Sequence, residues 1–447
     1  MRPFIVLIAL FICCNQFINA QTCEENFWGT KQVYFPQQKN YTPPPKGYEP
    51  IFINYIGRHG ARHLTKPMSE NKAYQLVMKA ANKNALTEVG ASLKNAILNL
   101  SAIEANADGN ISELGKLEQS NIAKRMVKNN PHVFGKKVLL VNTTVGNKIR
   151  TLQSANAFLE GLKEACNCKI INRQYIDDTT TRFYDLSPAY ENYKKIGNWQ
   201  HSLDTLETHL ALFEKANDLI EKVFTAEFAQ TIKRQDALKF MQEVFGFLTI
   251  IPSLKNEIIS KGISVSEVNF FPFFNCKVLQ ALHNYDNAEA YFLKGPGNNV
   301  NGIQVKIAAP LLADFIYTTD SFIANKKTPL QIRFGHAETI APFAAFMGIS
   351  GASTQIENVS QISTFWEDSK IIPLSANIQW VLYYHPKLKH YLVKFLLNEK
   401  EVSINGLTTQ HFPFYDWQDV KKYYSEKLIR FNIYPNTDLY QWLFSLQ

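Results

Sequence analysis

The chain has 447 residues, 46% of them apolar and 13% aromatic, with a formal charge of +8. That length allows two domains or one large one, and the apolar share rules out a generally disordered chain. The positive balance favours an anionic partner; the lysines are scattered, which argues against nucleic acid, and a small polyanion fits better.

The first twenty residues read "MRPFIVLIALFICCNQFINA". One early arginine, an eleven-residue apolar run from Phe4 to Cys14 and a small residue at Ala20 have the form of a secretory signal peptide over 1–20. The run is too short to span a bilayer. The C-terminus "LYQWLFSLQ" has neither a retention tetrapeptide nor a long apolar tail, so the expectation is a secreted or secretory-lumen protein with no transmembrane anchor. In that oxidising setting the remaining cysteines, Cys23, Cys166, Cys168 and Cys276, are expected to form disulfides rather than a metal site. They pair in three ways, and the sequence does not choose among them. Glycosylation sequons begin at Asn40, Asn99, Asn110, Asn142 and Asn358.

Residues 41–50 are a proline-rich approach without regular structure. Residues 51–56 read as a strand buried on both faces. Leu86, Val89, Leu93, Ile97 and Leu100 recur at helical spacing. Leu117, Ala123, Met126 and Val127 mark a second helix, ended by Pro131. A short strand at 138–142 runs into "NTTVGNKIRT", and Leu152, Ala155, Leu159 and Leu162 mark a further helix. Residues 185–290 are rich in long helical patterns and poor in strand signals; they read as a helical insertion, closed by Gly295-Pro296-Gly297. Strands are expected again at 330–334, 378–384 and 391–397. Residues 21–184 and 291–447 then form an α/β domain, doubly wound with mostly parallel strands and split by the α-helical insertion.

Three charged stretches follow three of these strands. Arg58-His59-Gly60-Ala61-Arg62 follows 51–56, Arg150 follows 138–142, and His336-Ala337-Glu338 follows 330–334. Open α/β sheets bind ligands beyond the carboxyl ends of their strands, so the three stretches can converge. Forked guanidinium donors match phosphate oxygens. An uncharged imidazole among them is a nucleophile, and neighbouring arginines keep His59 neutral. Gly60 is read as letting the backbone approach the phosphate. His336 adds a donor, and Glu338 can protonate a leaving alcohol and then activate water. The helix opened by "GHAET" also presents its N-terminus to an anion.

Arg58-His59-Gly60-x-Arg62 resembles the signature of the histidine acid phosphatases, and "GNKIRTLQSANAFLEGL" (146–162) resembles the segment carrying their later arginine. His336-Ala337-Glu338 resembles the variant second signature of the multiple inositol polyphosphate phosphatases. "FGHAETIAPFAAFMG" (334–348), "TRFYD" (181–185), "YFLKGPG" (291–297) and "FYDWQDVKKYY" (414–424) are similar to that subfamily as well. The resemblance implies a doubly wound α/β domain with an inserted helical domain and the site between them. It implies a phosphohistidine at His59, phosphate held by Arg58, Arg62, Arg150 and His336, and Glu338 as proton donor. It implies inositol hexakisphosphate and lower inositol phosphates as substrates, with 2,3-bisphosphoglycerate a further one, and no metal or organic cofactor. Leu64 stands where the family usually has a proline, which alters the turn and removes no catalytic group. Arg182 and Lys294 are candidates for clamping a non-reacting phosphate, with His63 and Lys66 nearer the signature. A general secreted acid phosphatase, a mutase-like relative and a non-enzymatic phosphate-ligand-binding protein are the competing readings.

Overall fold

The structure, a computed structural model, describes Cys23 and residues 27–446; the expected signal peptide lies outside the described residues. The described residues form one sheet of eight strands. They are β1 (Glu49–Arg58), β2 (Val138–Val145), β3 (Lys169–Ile176), β4 (Leu330–Gly335), β5 (Asn377–His385), β6 (His390–Leu397), β7 (Lys400–Glu401) and β8 (Phe414–Asp416). Their order is β3-β2-β4-β1-β5-β6-β7, with β8 on β6. The pairs β2–β3, β2–β4 and β1–β4 are parallel, whereas β5 runs against β1 and β6 against β5. Most strands therefore point the same way, and the parallel half is the half built from strand–helix–strand units.

Side chains alternate across the sheet. Phe52 and Ile56 of β1 enter one core, with Phe315, Ile340, Phe343 and Trp380. Ile53 and Tyr55 enter the other, with Ile122, Met126, Phe158 and Leu162. Helices thus cover both faces, which is why β1 reads as a nearly unbroken apolar run. Helix Glu113–Asn129 starts at Ser112, whose side chain accepts from the Gly115 N–H.

A third core joins residues of 212–282, including Leu219, Phe240, Val244 and Leu282, to Val77, Leu93, Ile97 and Leu100 from helices Lys72–Ala81 and Glu88–Glu104. We infer that the helical unit is drawn from both stretches, since one apolar core holds them. Trp199, Leu203 and Leu206, at the start of 185–290, pack instead into the core of the sheet domain. Two helical stretches, Arg234–Ser260 and Ile303–Asn325, are long and apolar enough to cross a membrane by composition, and most of each is buried within the protein. Among the sequons, Asn40 and Asn358 are exposed, Asn99 and Asn110 are half-buried, and Asn142 is half-buried within β2.

Cys23 is bonded to Cys276 and Cys166 to Cys168. The first bond ties the N-terminal segment to the helical unit across a sequence separation of 253 residues. Closing so long a loop restricts the unfolded chain strongly. Cys23→Ser with Cys276→Ser is expected to lower unfolding stability by about 2–5 kcal/mol, read as a drop in the thermal or urea midpoint. A midpoint equal to that of the unsubstituted protein would contradict this.

Candidate active site

Strand register brings the three charged stretches together. Arg58 of β1 lies opposite Gly335 of β4, and Val145 of β2 lies opposite Phe334. His59 and His336 are thus each the first residue beyond two neighbouring parallel strands. Their rings meet edge to face with centroids 5.4 Å apart. Arg150 enters from the first turn of helix Ile149–Ala165, just after β2. The site lies at the carboxyl edge of the parallel half, as the strand pattern predicts.

Arg58 and His59 are buried, 4% and 3% exposed. The Nη1 of Arg58 donates to the carbonyls of Thr30 (2.6 Å) and Ile372 (2.5 Å), which fixes its plane. His59 Nδ1 lies 2.9 Å from the Gly60 carbonyl. A carbonyl only accepts, so Nδ1 carries the proton and Nε2 presents a lone pair. The buried His336 stands at the N-cap of its helix. The Thr339 N–H donates to the His336 carbonyl (3.0 Å) and the Thr339 hydroxyl accepts from the His336 N–H (3.0 Å), while the His336 Nε2 has no hydrogen-bond partner among the described residues and is open to a ligand oxygen.

The Nε atoms of Arg58, Arg62 and Arg150 likewise lack a partner among the described residues. Buried polar groups are normally satisfied, and here a cluster of unpartnered N–H groups lies around one buried imidazole. Burial, then the charges of Arg58, His336, Arg62 and Arg150, holds the His59 imidazolium well below its ordinary range. Burial and Arg150 lower His336 to about 3. Burial, then repulsion from Arg150, lowers Arg58 to about 10, and burial, then repulsion from Arg58 and Arg150, lowers Arg62 to about 10. A phosphate dianion relieves each of these costs at once.

Glu338, in the first turn of helix Ala337–Met347, is ion-paired to Lys294 at 2.8 Å. Burial favours its acid form, but the Lys294 charge and hydrogen bond outweigh this and hold the carboxyl well below the usual range. Lys294 is the last residue of helix Cys276–Lys294, which leaves the helical unit at the site. Arg182 lies at the rim. Its charge is felt by His336 and Arg150, and its guanidinium pairs with Asp178 (3.4 Å) and with Asp185. The Nδ1 of His63 faces Glu104 at 3.3 Å, and Lys66 faces Glu243 at 3.7 Å, so both are engaged with carboxylates of the protein.

The role expected of Gly60 needs correction. A Cβ there would meet the Gly115 carbonyl oxygen at 2.6 Å, so its lack of a side chain serves the packing of the loop on helix Glu113–Asn129. That helix carries a brace which the motif reading missed. Glu118 accepts from the Ala61 N–H (2.9 Å), the Tyr34 N–H (2.8 Å) and the Ser375 hydroxyl (2.7 Å). Gln119 donates to the Arg58 carbonyl (2.9 Å), and the Ser154 hydroxyl accepts from the Gly60 N–H (3.0 Å). The available signal was the spacing Glu118, Ile122, Met126, which places a carboxylate on the buried face of the helix.

Residues 51–398 match the model of the histidine phosphatase superfamily (branch 2). The chain belongs to that family. It is similar to multiple inositol polyphosphate phosphatase 1 of Gallus gallus, 23% identical over 327 residues, covering 70% of this chain and 68% of that one. It is also similar to the Homo sapiens protein of the same name, 25% identical over 185 residues, or 38% and 36% of the two chains. In structure it resembles a Bifidobacterium longum multiple inositol polyphosphate phosphatase in complex with inositol hexasulfate. The TM-score is 0.77 at 19% identity, covering 90% of this chain and 98% of that one. The phytase from D. castellii shares the fold at a TM-score of 0.56 and 13% identity, covering 90% and 85%.

Two outcomes follow from this geometry. Gly60→Ala drives its Cβ against backbone that cannot yield, displacing His59, and is expected to lower kcat on the order of a hundredfold with little change in KM; a kcat within twofold contradicts the packing argument. The second concerns protons. Both histidines have folded-state values below their ordinary 6.5, so the unliganded protein loses their share of stability as pH falls through about 6.5. A bound dianion raises both, so its binding takes up protons. The rise in thermal midpoint on adding sulfate should be larger at about pH 5 than at about pH 7. The difference should shrink in His336→Asn.

Proposed function

We propose that this protein is a phosphatase that removes phosphates from inositol polyphosphates, inositol hexakisphosphate and lower forms, with 2,3-bisphosphoglycerate a second substrate class. The observation that carries the reading is the set of buried, unpartnered nitrogens on Arg58, Arg62, Arg150 and His336 around the free Nε2 of His59. The names of the relatives and the inositol hexasulfate of the B. longum complex support the choice of a polyphosphorylated ring. In the first step, His59 Nε2 attacks phosphorus as the P–O bond to inositol breaks, and Glu338 gives its proton to the leaving oxygen. In the second, water loses a proton to Glu338 and attacks phosphorus, and the P–N bond breaks. Arg58, Arg62, Arg150 and His336 hold the equatorial oxygens throughout, as preorganised donors. Arg182 extends the cationic rim. No step calls on a metal or cofactor.

The two disulfides support an oxidising compartment. We place the protein in the secretory pathway or outside the cell, with glycans best accommodated at exposed Asn40 and Asn358.

The test is to incubate purified protein with inositol hexakisphosphate, quench in alkali, and map phosphate by mass spectrometry. Alkali-stable phosphohistidine is expected at His59. His59→Ala is expected to lower turnover at least about a thousandfold while still binding sulfate. Turnover near the wild-type level in that variant, or phosphate on another residue, overturns the mechanism. Turnover of an aryl phosphate but not of the inositol phosphate would favour a general acid phosphatase instead.

A further inference from the structure

The proton donor assigned above is a carboxylate in the unliganded protein, because Lys294 holds it at 2.8 Å. A carboxylate cannot protonate a leaving alkoxide. Either the pair breaks during the cycle or Glu338 is not the acid. The surroundings show how it can break. Lys294 comes from the end of helix Cys276–Lys294, whereas Glu338 belongs to the helix that begins at His336. The lysine also lines a cavity of about 170 Å³, with Lys31, His283, Asp286 and Asp368. Its side chain therefore has room to move without displacing backbone.

We propose that Lys294 makes catalysis conditional on a second phosphate. Resting on the inositol-polyphosphate reading, the inference is that a phosphate on the ring carbon next to the scissile one takes Lys294 from Glu338. A dianion is the stronger partner for an ammonium. Released, Glu338 faces a carboxylate-repelling phosphoryl group and takes up a proton from the phosphate monoanion that arrives as substrate. That proton passes to the inositol oxygen as the P–O bond breaks. When the product leaves, the second phosphate goes with it and Lys294 returns to Glu338. The glutamate is then held ionised, the form that accepts a proton from water in the hydrolysis of P–N. One lysine thus sets opposite protonation states for the two half-reactions.

The other charges around Glu338 do not explain the switch. Arg58, Arg62, Arg150 and His336 all act on it, but these groups hold the reacting phosphate in any substrate. Tyr184 and Tyr190, which also sense its charge, stay neutral, since burial pushes both hydroxyls well above their ordinary range. Among the described residues, only Lys294 is both bonded to Glu338 and outside the reacting-phosphate clamp.

The consequence is unusual in sign. An alkyl monoester such as glycerol 2-phosphate has one phosphate and a poor leaving group, so in the wild type it leaves Glu338 paired and turns over slowly. Lys294→Met releases Glu338 permanently. It should raise kcat on glycerol 2-phosphate by about tenfold, with the acid limb of the pH profile shifted upward, while raising KM for inositol hexakisphosphate. Lys294→Arg, which keeps a cation opposite Glu338, should give a smaller rise. The gain should vanish when Glu338→Gln is added. A lysine serving only to bind phosphate predicts no gain, and unchanged or lower kcat on glycerol 2-phosphate in a Lys294→Met protein that still binds sulfate overturns the proposal. Because this readout uses a monoester, it stands whether or not inositol hexakisphosphate proves to be a substrate.

Discussion

The parallel pairing of β1 with β4 governs the molecule. Arg58 lies opposite Gly335, so the chain leaves both strands at the same height. Two histidines separated by most of the chain then face each other across one strand spacing. A shift of a single residue would turn every side chain of β1 to the wrong face. The register is held by two apolar cores that β1 feeds alternately, and both cores must be buried for either to pay. The helix capped by His336 and the helix carrying Arg150 start where they do because β4 and β2 end where they do.

A second constraint is electrostatic. Three guanidiniums are gathered around a neutral imidazole with their own solvation removed, which is costly by itself. The protein offsets part of the cost with neutral acceptors, chiefly the carbonyls of Thr30, Ile372 and His63. It spends its nearby carboxylates elsewhere: Glu118 on the loop backbone, Glu104 on the Leu64 N–H. Had either carboxylate paired with an arginine, part of the positive charge of the clamp would already be neutralised. The two histidines are set differently: the Gly60 carbonyl engages Nδ1 of His59 and leaves its Nε2 free, and the Nε2 of His336 is without a partner among the described residues.

The sequence showed where the candidate site residues gather more plainly than it showed the scaffold. Arg58, His59, Arg62, Arg150, His336 and Glu338 were readable because each follows a strand whose apolar run is unmistakable. Strand β3 was not readable. It is an edge strand, exposed along most of its length, and "KIINRQYI" lacks the apolar continuity that marked β1 and β2. Helix faces were read slightly rotated. Leu117 is half-exposed, while Glu118 and Gln119 beside it are buried, because polar side chains there bond to loop backbone that no local pattern reveals. The Lys294–Glu338 pair was out of reach for the same reason: it joins two helix ends far apart in sequence that meet in one core. Helices Lys72–Ala81 and Glu88–Glu104 packing with 212–282 is likewise a matter of long-range docking.

The N-terminal segment fastens what it precedes. Thr30 holds Arg58, Lys31 donates to the Gly246 carbonyl and the Thr249 hydroxyl, and Cys23 is bonded to Cys276. The other carbonyl on Arg58 belongs to Ile372. During synthesis this segment is made early, yet apart from Arg58 the partners named here, Gly246, Thr249 and Cys276, are made in the second half of the chain. A nascent chain that has just produced the Arg58–Arg62 loop has the Thr30 carbonyl but not yet that of Ile372 to orient Arg58. A chain cut short before Ile372 would therefore carry every arginine of the site but only one of the two carbonyls that aim Arg58.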